Sequence, residues 1–176
     1  AARYSPRSSD WIKLCYENQK TNQTLVDMDD YGEWAYSQNI TINTSGVTTT
    51  TLTDFPLLVR LNPGNFSGFA NTNALGTDIR FAKADGTHLA YEIERWYDGG
   101  SNVDTAEIWV RIDTVKGNNG SQYVKMYWGN TASTVSTKSN PSAVFDTALG
   151  FAGVWHLSNN SFNDATVNSN NGGENS

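Results

Sequence analysis

The sequence is short of everything that would cross-link it, chelate a metal or carry it to a charged partner. A single cysteine, Cys15, excludes a disulfide within the chain, and two histidines make no Cys/His cluster of the kind that holds zinc. No metal and no cofactor is therefore expected, and the fold must stand on its apolar core. Lys and Arg number 12 against 18 Asp and Glu, a net charge of −6, and the basic residues are scattered. That distribution leaves no electrostatic footprint for nucleic acid or an anionic membrane, and neither is expected as a partner. No apolar run approaches the roughly 18 residues a membrane helix needs, and the N-terminus lacks the apolar stretch of a signal peptide. The expectation is a soluble chain whose export signal lies outside this sequence.

What is abundant is Thr, Asn, Ser, Gly and aromatic residues, the profile of a secreted β-protein. The stretch 78–112 carries the clearest pattern. Three segments, 78–82, 89–96 and 106–112, alternate with period two, as strands with one buried and one wet face do. Parity puts Ile79, Phe81, Leu89, Tyr91, Ile93, Ala106, Ile108, Val110 and Ile112 on a core side. The other side receives Asp78, Arg80, Glu92, Glu94, Trp96, Glu107, Trp109 and Arg111, mixing both signs of charge with two indoles. Such a face is either a binding surface or one covered by the chain's own loops or a neighbouring domain.

Flanking elements read less sharply. Trp11, Ile12, Cys15, Tyr16 and Gln19 fall at helical spacing behind Ser8, Ser9 and Asp10 as N-caps, so a short helix is expected there, with a strand as the alternative. Asp27, Asp29 and Asp30 lack the ligand spacing of a calcium loop and read as a solvated turn. Strands are expected over 34–43, 55–61 and 123–128, with the inward side of the last left open between Val124, Met126, Trp128 and Tyr123, Lys125, Tyr127. The loop 62–77 offers Phe66, Phe69 and Leu75 as apolar plugs. Asn119-Gly120 reads as a hairpin turn supplying positive φ, and 143–145 and 150–157 read as closing strands, with everything past Ser158 mobile unless something holds it.

Taken in order, Trp34, Phe55-Pro56-Leu57-Leu58-Val59, Gly76-Thr77-Asp78-Ile79-Arg80-Phe81, Tyr91-Glu92-Ile93-Glu94-Arg95-Trp96, Ile108-Trp109-Val110, Tyr127-Trp128-Gly129-Asn130 and Val144-Phe145-Asp146 resemble a family of bacterial extracellular domains of unknown function. Such domains typically stand directly before a concanavalin A-like, laminin-G-type jelly roll. The resemblance covers about Glu33 to Gly150. Residues 151–157 with Asp164-Ala165-Thr166 resemble the opening of such a lectin-like domain, and 8–19 the close of one. The implied organisation is a tail fragment over 1–26, a linker over 27–32, a central domain over 33–150 and a head fragment over 151–176. An alternative is that head and tail meet and complete one sandwich. The fold expected from both routes is all-β, an antiparallel β-sandwich of jelly-roll type with at most one short N-terminal helix.

For function, the expectation is a non-catalytic glycan-binding or adhesion module of a secreted, extracellular or cell-surface protein. Its candidate polysaccharide-binding residues are Arg80, Glu92, Glu94, Trp96, Glu107, Trp109 and Arg111, because sugar rings stack on indoles while their hydroxyls need fixed donors and acceptors. The alternative is a structural spacer that positions an adjacent lectin-like domain, with the indoles covered by loops such as 62–77. A glycosidase is disfavoured. Glu92 and Glu94 stand two apart on one strand, about 6.5–7 Å, while carboxylate pairs need roughly 5–5.5 or 6.5–9.5 Å across a cleft. Arg80, Arg95 and Arg111 are placed to neutralise them, and His88 and His156 lack a nucleophile or metal partner and read as structural.

Overall fold

The computed structural model describes residues 8–19, 34–99, 104–130, 137–158 and 161–173. The three aspartates at 27, 29 and 30, and the linker expected over 27–32, lie outside them. Two compact units emerge, 1–32 and 33–176. The first contains the expected helix, α1 (Ser9–Gln19), with Asp10 in its first turn, where a carboxylate favours the positive end of the helix dipole.

The second unit is all-β. Its strands are β1 (Trp34–Ile42), β2 (Leu52–Leu61), β3 (Arg80–Ala82), β4 (Tyr91–Tyr97), β5 (Thr105–Val115) and β6 (Gln122–Asn130), followed by one short helical turn, α2 (Pro141–Val144). They form two three-stranded antiparallel sheets, β1-β6-β3 and β2-β5-β4. The antiparallel sandwich expected from period-two alternation is what the chain adopts.

The inward faces of both sheets meet in one core. Val59, Leu61, Ile79, Phe81, Tyr91, Ile108, Val110 and Ile112 are buried in it, and Ile93 packs half-buried against it. On β6 the open choice resolves to Val124, Met126 and Trp128 inward. The loop after β2 plugs one end with Phe66 and Phe69, whose rings pack edge-on at 4.9 Å. Leu75 is no plug: it is 64% exposed at a turn with φ 59°. A backbone held in the left-handed region there carries the side chain outward.

The link between β5 and β6 also departs from expectation. These strands belong to different sheets, so the link is a crossover and not a hairpin, and its positive φ sits at Asn118 (45°), not Asn119-Gly120. Side chains shape it instead. The Thr44 hydroxyl donates to the Lys116 carbonyl (2.6 Å), and the Asn119 carboxamide accepts from the Ser121 and Gln122 amides.

Past β6 no strand follows among the described residues. Asn140 caps α2 by accepting from the Ala143 amide, and Pro141 sits at its first turn, where a missing N–H costs nothing. These local bonds outcompete the β-branched and aromatic pattern that reads as a strand over 143–145. The segment 151–157 forms no strand and pairs with a loop: Val154 N–H donates to the Asp164 carboxylate, and Ala165 N–H to the Val154 carbonyl. The stretch 161–172 is thereby held by this chain's own hydrogen bonds.

Candidate functional site

The outer face of sheet β2-β5-β4 gathers most of the sequence-selected residues, and its register explains which ones are missing. Glu92 stands opposite Trp109 and Ile93 opposite Ile108, but the next pair is Arg95 opposite Glu107. Glu94 is thus the extra residue of a β-bulge, and beyond it parity inverts. Trp96 therefore turns inward opposite Ala106. It is 7% exposed, packs on Phe69 at 5.4 Å, and is covered by the 62–77 loop, where a Cβ at Gly76 (φ +64°) would come within 2.6 Å of the indole. A shared outer face for Trp96 and Trp109 is corrected: the two indoles lie on opposite sides of the sheet.

Arg80 and Asp78 leave the face as well, because β3 belongs to the other sheet. Arg80 is buried and donates to the Thr77 and Ile79 carbonyls and to the Tyr91 hydroxyl, with Trp34 at 5.2 Å from its guanidinium. Asp78 is fully buried. Its carboxylate accepts the backbone N–H groups of Asn73 (2.8 Å), Gly129 (2.8 Å) and Asn130 (3.1 Å), and its carbonyl accepts the Trp34 indole N–H.

Glu92, Glu94, Glu107, Trp109 and Arg111 remain together. Glu107 pairs with Arg95 at 2.6 Å and Arg60 at 3.5 Å. Arg111 donates twice to Asp54 (3.0 and 2.8 Å) and once to the Ala143 carbonyl, with Asp146 at 3.6 Å. The arginines thus serve other partners. Glu92 and Glu94 are met by His156, arriving from the segment after β6: Nε2 lies 2.9 Å from Glu92 Oε2, and Nδ1 3.4 Å from Glu94 Oε2. The Trp109 indole N–H donates to the same Glu94 oxygen at 2.7 Å.

With a carboxylate facing each ring nitrogen, the imidazole is fully satisfied only as the imidazolium, which donates from both. The Glu92 hydrogen bond does most to raise the His156 pKa above the ordinary 6.5; partial burial opposes it and the charges of Glu92 and Glu94 assist. The ring stacks on Trp109 (5.7 Å between centroids, 22° between planes) and tilts against Phe145. Phe145 meets Trp109 and Phe151 edge-on, and Val144, Phe145 and Ala165 form a second small core under which Ala90, Trp109, Phe151 and Val154 pack. A cavity of about 360 Å³ opens beside it, lined by Glu92, Glu94, Pro141, His156, Ser161 and Asn163 among others.

Chemically, this arrangement holds a segment in place. Each Glu oxygen facing His156 is engaged, and no group of His, Cys, Asp and Glu suited to a metal ion occurs among the described residues. The role of His156 as partner to both glutamates escaped the sequence because 64 residues separate His156 from Glu92. Arg80, Arg95 and Arg111, expected from the sequence to neutralise the two carboxylates, bond elsewhere in the structure.

No curated protein and no solved structure matches the chain. Residues 75–160, which run from the turn before β3 through His156 and so include every member of the Glu92, Glu94, Trp109 and His156 cluster, match the profile of a family described as a domain of unknown function (DUF2341).

Proposed function

We propose that this chain is a non-catalytic structural module of an extracellular or cell-surface protein, and that its task is to fix the segment leaving the sandwich in one orientation. What it would hold is the lectin-like domain that the sequence resemblance puts next. The supporting observation is the His156 clasp: one imidazole ring set between Glu92 and Glu94 and flat against Trp109. A glycan-binding reading of this face loses its paired indoles, since Trp96 is in the core and Trp109 is packed under Phe145 and His156.

The clasp makes a signed pH prediction. A His whose folded pKa is raised contributes stability that is complete below its unfolded value of about 6.5 and is lost as pH rises through the higher folded value. Charge-assisted hydrogen bonds are worth about 1.5–3 kcal/mol. His156→Ala should therefore speed protease nicking within 151–158 by roughly 10–100-fold near pH 6, and the gap between wild type and variant should narrow as pH rises through the folded pKa. Unchanged protection in the variant, or nicking that is fastest in acid, would refute the clasp.

A further inference from the structure

We propose that Trp155 and the loop 161–172 form a binding platform for an uncharged saccharide, held by the apolar face of one pyranose ring. The proposal goes beyond the structural role argued above and uses a side chain that role leaves idle. Trp155 is 45% exposed although it sits between His156 and Val154, both turned toward the sheet. Its indole lies over Gly153 instead.

Exposure here does not come with looseness. The indole N–H donates to the Asn170 carbonyl at 2.8 Å, and the far end of the benzo ring lies so close to Gly153 that a Cβ there would overlap it. The ring is therefore fixed at two ends while nearly half the residue stays open. Asp164 sets both anchors. Its carboxylate accepts from the Val154 amide (2.9 Å), the Asn170 amide (3.0 Å), and the amide and hydroxyl of Thr166 (3.0 and 2.9 Å). Burial pushes its pKa up, but these bonds more than reverse that and hold it at about 2. Asp164 N–H in turn donates to the Asn171 carboxamide, and Gly172 N–H closes the loop onto the Phe162 carbonyl.

The chemistry around the ring selects the ligand. Apart from Asp164, whose carboxylate is consumed, residues 161–172 carry no charge. The Asn170 carboxamide makes no hydrogen bond among the described residues, and that of Asn168 spends its N–H on the Ala152 carbonyl and keeps its oxygen. A flat apolar surface ringed by amide donors and acceptors matches a pyranose, with an apolar C–H face and a rim of hydroxyls. A chain of net charge −6 does not favour an anionic polymer. Because ring and loop are already ordered, binding costs little further conformational entropy.

The test uses the full chain, titrated with cellohexaose and with chitohexaose while the Trp155 indole N–H resonance is followed by NMR. At least one sugar should shift that resonance saturably in the millimolar range or below. Followed by isothermal titration calorimetry, which needs no resonance from the substituted residue, Trp155→Ala should weaken binding at least about tenfold and Trp155→Phe less, with Val47→Ala, at an exposed position outside the platform, binding as wild type does. An unmoved Trp155 resonance with both sugars, or undiminished binding by Trp155→Ala, overturns the proposal.

Discussion

Asp78→Ala should lower the unfolding free energy by about 3–5 kcal/mol, because it strands three backbone N–H groups, each costing about 1–3 kcal/mol when buried and unsatisfied. Those groups belong to Asn73 in the 62–77 loop and to Gly129 and Asn130 at the end of β6, and the Asp78 carbonyl also receives Trp34 from the start of β1. The buried carboxylate thus ties the loop that covers Trp96 to the end of β6, while the backbone carbonyl of the same residue, which the substitution keeps, holds the start of β1. A loss of that size takes a fifth or more of the stability of a typical domain, about 5–15 kcal/mol. Denaturant titration of the variant should give a markedly lower midpoint. A loss below about 1 kcal/mol would mean that water reaches these amides and that Asp78 is not the tie it looks like.

Ending the chain after Gly150 should leave a cooperatively unfolding sandwich with a changed surface. Every member of the main core lies before position 129, so the two sheets keep their packing. What goes is the cover on the outer face: Phe151, Val154 and Ala165 from the small second core, and His156 from Glu92 and Glu94. The lost His–carboxylate bonds are worth about 1.5–3 kcal/mol and the half-buried apolar groups add to that, while the entropy of ordering the removed segment offsets part. We expect a net loss of about 2–4 kcal/mol, and Trp109 should become accessible to a neutral quencher. If the shortened chain melts without cooperativity, the segment belongs to the folding unit itself. If Trp109 stays shielded, some other part of the chain covers it.

The sandwich and most of its core were legible because period-two alternation is a local signal and both sheets obey it over most of their length. Ile79, Phe81, Ile108, Val110 and Ile112 needed only parity. The site was legible up to Glu94 and misread after it, since one extra residue inverts every later side chain on the strand. A warning was present: strict alternation sends Arg95 into the core and Trp96 into water, each the less favourable choice. In the structure Arg95 reaches out to Glu107 and Trp96 goes in, although its indole N–H finds no partner among the described residues. Asp78 and Arg80 were misplaced for a different reason. Parity says which residues share a face of one strand, but not which sheet that strand joins, and β3 crosses to the sheet of β1 and β6. The helical turn at 141–144 and the His156 clasp depend on side-chain partners, one local and one distant, that no periodicity encodes.

The free margins of the two sheets bear on how the protein behaves in concentrated solution. Among the described strands, β1 and β2 are each the outermost of a sheet, and β1, Trp-Ala-Tyr-Ser-Gln-Asn-Ile-Thr-Ile, contains no charged residue to deter a neighbour. Between them lies an apolar cleft of about 630 Å³ lined by Ile40, Leu52, Phe55 and Leu57 among others, with Phe55 still 40% exposed. With no gatekeeping charge on β1, what keeps copies apart is the long-range repulsion of a −6 molecule. That colloidal protection vanishes as pH falls toward the isoelectric point near 4.7, so light scattering should climb steeply there. It should subside when a lysine replaces Ser37 in the middle of β1, although the fold itself is untouched.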